Sequence, residues 1–246
     1  MSNNHFTGFP AETFHFMQEL ESNNNRDWFS ANQDIYERAV IVPAQDFVAA
    51  FGIRARHIYP GLVYDTRING TGSMFRMNRD TRFSKDKAPF KTNLGFRFWL
   101  TPDERLAKRV RLYVHLDKHG VRVYGGEHCM MEPDALHALR EAIAKETKGR
   151  INRLLEQLSK QGFAANDEKL VRVPRVYPSD HPNADLLRLK NMFMISPLIT
   201  RESAGRKGFI EQCVHYAEIL KPLNDWLGNN LSLVQPSSKK NLDERT

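Results

Sequence analysis

Apolar residues recur at helical spacing over the first sixty positions. Pro10 opens a pattern in which Phe14, Met17 and Leu20 share one face. Asn23-Asn24-Asn25 interrupts it and offers caps for a second helix, with Asp27 following Asn24 at capping-box spacing. That helix carries two stripes, one of Phe29, Asn32 and Tyr36, the other of Trp28, Ile35 and Ala39. Pro43 predicts the first turn of a third helix, with Phe47, Phe51, Ala55 and Ile58 in phase until Pro60-Gly61 ends the block. Aromatics at this spacing read as core packing.

Further on the period changes to two. Leu94, Phe96, Phe98 and Leu100 alternate with Asn93, Gly95, Arg97 and Trp99, and Val110, Leu112, Val114 and Leu116 alternate with Arg111, Tyr113, His115 and Asp117. Lys118-His119-Gly120 is a turn, and Val121 and Val123 begin a third strand closed by Gly125-Gly126. This predicts an antiparallel meander over about 92–126, with one apolar face to cover and one polar face left open. Two helices follow, one from Pro133 with Leu136, Leu139 and Ile143, the next with Ile151, Leu154, Leu155 and Leu158. A short strand is expected over 169–173, ended by Pro174, and a short helix over 184–190. The last helix carries Phe209, Cys213, Tyr216 and Leu220 until Pro222 kinks or ends it. The pattern predicts one α+β domain over 1–227, helices on one face of a mainly antiparallel sheet, and a loosely ordered tail over 228–246.

Composition narrows the class. With 41% apolar and 26% charged residues, the chain is neither disordered nor low-complexity. Its two cysteines, Cys129 and Cys213, suit a reducing compartment and read as small buried hydrophobes. The start of the chain has neither a basic nor an apolar leader region, so a cytoplasmic, non-membrane protein is expected. No Walker loop, GxGxxG, GxSxG or HExxH motif is present.

Charge changes the picture more. The net charge is +7, and residues 76–91 alone set six cations against two carboxylates, a local +4. Arg76, Arg79, Arg82, Lys85, Lys87 and Lys91 are the candidate anion ligands, joined by Arg97, Arg111 and Arg122 from the polar face of the meander. Asp80 and Asp86 are the carboxylates; ringed by cations they stay ionised, as bases, as orienters of arginine, or as ligands bridging Mg²⁺ to a phosphate. His115 is the acid–base candidate on the strand face. Its spacing to His119 fits a helix, whereas the pattern there is strand then turn, so no zinc site is expected.

These residues carry a family resemblance. Phe75-Arg76, Arg79-Asp80, Arg82-Phe83-Ser84-Lys85-Asp86-Lys87 and Pro89-Phe90-Lys91 match the signature of the bacterial and fungal family catalogued as domain of unknown function 2461, with Phe90 where Tyr is common. Phe16, Leu20, Asn24, Asn25, Trp28 or Phe29, and Tyr36 resemble its N-terminal segment. Arg172-Val173-Pro174, Tyr177, His181-Pro182 and the 186–190 stretch resemble a later one. The chain departs from the family at Gly125-Gly126-Glu127, where a third glycine is frequent. The resemblance implies a single whole-chain domain and carries no activity with it.

Three functions are expected in order. The first is an enzyme or sensor holding a small phosphorylated or carboxylated ligand in a basic pocket. The second is a scaffold or interaction protein in which the Arg/Asp/Lys string is a structural ion-pair network. The third is a nucleic-acid-binding module, drawing on the charge and on Phe75, Phe83 and Phe90 between the cations.

Overall fold

The alternation read in the middle of the chain folds into three antiparallel strands, β1 (Leu94–Trp99), β2 (Arg111–Asp117) and β3 (Gly120–Glu127). The computed structural model describes residues 6–68, 70–82, 84–102, 111–127, 131–146 and 149–231. Among them three short strands complete one sheet: β4 (Ala164–Ala165), β5 (Met192–Ile195) and β6 (Ile199–Thr200). The order is β1-β2-β3-β5-β4, with β6 also on β3, and every pairing is antiparallel. The strand expected over 169–173 is only a bridge between Lys169 and Leu189. The strand that does form there, β5, is a continuous apolar run with no alternation in its sequence.

Register puts Leu94, Phe96 and Phe98 beside Leu116, Val114 and Leu112, and these beside Val121, Val123 and Gly125. All of these apolar side chains are fully buried under helices. Helix α9 (Phe209–Leu231) lies across β3, where a Cβ on Gly125 would stand 2.8 Å from the Leu220 Cβ. Gly126, at φ +100, leaves room for the Met192 carbonyl of β5. The glycine pair therefore admits a helix and a neighbouring backbone. Asn224 of α9 locks the contact, accepting from the Gly126 N–H and donating to the Tyr59 hydroxyl, which donates to the Ala217 carbonyl. Helix α9 passes through Pro222 without ending, because Leu223, Leu227 and Leu231 bury beyond it, and residues 228–231 are helix. The rest of the expected tail, 232–246, lies outside the described residues, as does Cys129; Cys213 is fully buried.

Helices α1 (Ala11–Ser22) and α2 (Arg26–Ala31) precede a helical run in which α3 (Gln33–Tyr36), a π-turn (Glu37–Ile41) and α4 (Val42–Ala55) are continuous. Pro43 stands in the first turn of α4, as expected, but the helical run reaches it unbroken from α3. The reason is a substitute donor. Pro43 has no N–H to offer the Ala39 carbonyl four residues back, and the buried Thr13 hydroxyl of α1 donates to it. Helices α5 (Pro133–Lys145) and α6 (Arg150–Lys160) form as expected, while α7 stops early, at Ala184–Leu187, and a one-turn α8 (Arg201–Ala204) precedes α9. Among the described residues no helix is long and apolar enough to cross a membrane.

Replacing Thr13 by Val keeps the shape and removes that donor. Urea unfolding is expected to show a loss of about 1–3 kcal/mol, and Pro43→Ala in the Thr13→Val background should recover part of it. An unchanged midpoint in T13V would show that the carbonyl needs no such donor.

Candidate functional site

The basic string is the distal part of a long irregular hairpin. Residues 73–79 run antiparallel to 89–97, through Phe75 N–H to the Gly95 carbonyl (2.9 Å), Arg97 N–H to Ser73 (2.8 Å), Lys91 N–H to Met77 (2.7 Å) and Arg79 N–H to Pro89 (2.8 Å). The outgoing limb lies along the free edge of β1, and residues 80–88 form the tip.

Phe90 fixes the hairpin to the N-terminal helices. The Asn24 side chain donates to its carbonyl (2.9 Å) and accepts from its N–H (3.1 Å), a two-point imitation of a strand partner. Phe29 of α2 stacks on its ring at 4.0 Å and 16°. The helix cap is therefore Asn25, which accepts from the Trp28 N–H, and the capping box expected at Asn24 is replaced by this docking contact.

Within the tip the charges satisfy one another. Arg82 makes a two-pronged pair with Asp80, at 2.7 Å for its closest contact, and Arg79 pairs with Asp86. Each carboxyl is held below its usual range, first by its arginine and next by a backbone N–H, from Arg82 and Ala88 respectively. Lys87 donates to the Thr81 carbonyl at 3.0 Å. Among the described residues the Arg76 and Lys85 side chains are exposed and make no hydrogen bond or ion pair, while Phe83 lies outside those residues. The Arg82 and Asp80 side chains are 77% and 58% exposed, so their pairing shapes the tip without stabilising the fold much.

The cations of the sheet are structural too. Arg97 donates to the carbonyls of Gly72 (3.1 Å), Thr71 (3.1 Å) and Gly70 (3.3 Å) and lies over the rings of Phe75 and Trp99. Arg111 grips Glu127 at 3.0 Å with the two side chains only 15% and 4% exposed. Asp80 and Asp86 face separate arginines, and among the described residues no group of three or more His, Cys, Asp or Glu is placed to hold a metal ion.

Lys91 differs from all of these. Its ammonium donates to the Arg76 carbonyl at 3.1 Å and sits 5.5 Å from the Phe75 ring centroid. Burial, and then the Arg76 charge, pulls its pKa down. It lines two of three cavities, of about 460, 370 and 290 Å³, that share Asn93. The first adds Glu21, Asn24, Arg79, Asp86 and Phe90, the second Phe75, Gly95 and Tyr113, the third Glu21 again with His115, Asp117 and His119.

His115 stands where the groove crosses β2. Its Nε2 is 3.4 Å from an Asp117 carboxylate oxygen, and its Nδ1 is 3.4 Å from the Tyr113 hydroxyl and 3.5 Å from the Asn93 amide. Nε2–H toward Asp117 leaves the Nδ1 lone pair on the groove side. Burial lowers the imidazole pKa below its ordinary 6.5, with Asp117 working against the shift and Arg122 adding to it. Gly95 makes this packing possible: a Cβ there would lie 2.6 Å from the Tyr113 hydroxyl and 2.9 Å from the Phe75 ring. Of the expected site residues, then, the structure brings the Arg79–Asp86 pair, Lys91 and His115 to the groove, and it turns Arg82, Lys87, Arg97 and Arg111 to partners within the chain. Asn93, Tyr113 and Asp117 are added. The signal for them was their position on the same strand faces as Arg97 and His115.

A family model described as conserved hypothetical protein, domain of unknown function 2461, matches residues 12–226. The chain belongs to that family. No curated protein matches it.

Proton titration of the imidazole by NMR should place His115 below 6.5, and Asp117→Asn should lower it further. Because the folded value is the depressed one, the stability it contributes is present above 6.5 and is lost as pH falls through the folded pKa. A His115 value above 6.5 would contradict the assignment. Arg111→Ala should destabilise by about 3–5 kcal/mol by breaking a buried ion pair with Glu127, whereas Arg82→Ala should melt with the wild type.

Proposed function

We propose that the protein binds a small anionic ligand, bearing phosphate or carboxylate, in the groove around Asn93, with Lys91 as its anchor. The observation that carries this reading is that the half-buried Lys91 ammonium forms no ion pair among the described residues and opens onto a cavity lined by Phe75, Asn93, Gly95 and Tyr113, with no carboxylate in its wall. Burial and the nearby Arg76 both disfavour its charge, and an anion relieves both. Asn93 and Tyr113 are neutral donors beside it, and Arg76 and Lys85 add long-range attraction. His115, kept neutral by burial and oriented by Asp117, is the group that would accept a proton from a bound hydroxyl or amine, so the stronger form of the reading is an enzyme. Asp80 and Asp86 act as orienters of Arg82 and Arg79. The free, buried thiol of Cys213 supports a reducing, cytoplasmic setting.

A scaffold role is the second reading, and the paired charges of the tip favour it: a loop held in one shape by Arg79–Asp86 and Arg82–Asp80 is a surface a partner can recognise. A nucleic-acid interface draws the least support, since Arg79, Arg82 and Arg111 are each paired to a carboxylate and Arg97 to backbone carbonyls.

At constant ionic strength, inorganic phosphate should raise the melting temperature of the wild type and of Arg82→Ala. Lys91→Gln should lose the shift. A shift in K91Q equal to that of the wild type would remove Lys91 as the anchor.

A further inference from the structure

The outer face of the sheet carries rings where charge was expected. Phe75 on the hairpin, Tyr113 on β2, Tyr124 on β3 and Phe193 on β5 form a row whose successive centroids are 6.1, 5.4 and 6.0 Å apart. All four are half-buried. The row crosses β1 above Gly95, where a Cβ would stand 2.6 Å from the Tyr113 hydroxyl and 2.9 Å from the Phe75 ring. Lys91 stands at its hairpin end, 5.5 Å from the Phe75 centroid, and Asn93 lines the same 370 Å³ cavity as Phe75 and Tyr113.

We propose that the anion bound at Lys91 belongs to a nucleoside monophosphate, whose base lies against the Phe75–Tyr113 wall with the Asn93 amide at its edge. This rests on the anion reading above and deepens it. Three features argue for the class. A ring wall offers contact to any planar base. An amide is the side chain that can both donate to and accept from a base edge. A cation lining the same cavity, 5.5 Å from the Phe75 centroid, supplies the phosphate subsite. A sugar phosphate would leave the ring wall uncovered, and a nucleoside would leave the ammonium without its counter-charge.

Calorimetric titration with adenosine 5′-monophosphate, uridine 5′-monophosphate, ribose 5-phosphate and adenosine separates these. A nucleoside monophosphate should bind at least about tenfold more tightly than ribose 5-phosphate. Tyr113→Leu should erase that advantage while leaving ribose 5-phosphate binding in place, and Tyr113→Phe should keep it. If Tyr113→Leu does not fold, Phe75→Leu makes the same test from the other wall. Equal binding of both nucleotides and ribose 5-phosphate by the wild type overturns the nucleotide assignment and leaves the anion site standing. Binding of all three phosphates that is indifferent to Lys91→Gln, or no binding at all, overturns both. Adenosine binding as tightly as its monophosphate overturns the pairing of ring and phosphate subsites.

Discussion

Phe90 is held on both its polar and its apolar sides, and that grip decides where the rest of the groove lies. Asn24 satisfies the backbone N–H and carbonyl, and Phe29 covers the ring. The two contacts unite a turn between helices with the returning limb of a hairpin 66 residues later. Lys91 follows directly, so the ammonium is aimed by a residue whose own position is fixed at three points. Two-point bonding of a buried peptide group also means that neither of its polar atoms is left to find water.

Charge that looks uniform in the sequence divides in the structure by what surrounds it. At the tip, arginines and aspartates that are neighbours along the chain close short loops in water, where screening leaves the attraction weak. On the sheet, Arg97 and Arg111 are consumed by carbonyls, rings and a buried carboxylate. Lys91, by contrast, combines partial burial with an open cavity and no ion pair among the described residues. A local excess of charge located the region; desolvation, which composition does not encode, singled out the residue.

Period-two patterning made β1 to β3 and their buried faces legible, because one solvated and one covered face leave alternation in the sequence. It did not reveal β5, whose Met192-Phe193-Met194-Ile195 is apolar throughout. Pro43 stands in the first turn of α4 as its position in the sequence suggested, yet helix runs on through both prolines, which the proline rules did not reveal. The Thr13 hydroxyl serves the carbonyl before Pro43, and burial of Leu223 and Leu227 carries α9 past Pro222. The polar face was legible as a set of residues and not as a site. Joining Tyr113 and Phe75 over Gly95 needs the register between strands and the path of the hairpin, neither of which is local.

The outgoing limb of the hairpin that carries the basic string also lies against the outer edge of β1, through the bridge of Met74 to Phe96, and the preceding segment adds a bridge of Val63 to Trp99. At the opposite end of the sheet the last strand is only Ala164–Ala165. A growing fibril or an unfolded neighbour needs a row of open N–H and carbonyl groups to add to, and one edge is occupied while the other is two residues long. The same segment therefore governs colloidal behaviour. At high concentration the protein is kept from templating its own copies by backbone geometry, with its charged tip as a second, salt-sensitive barrier.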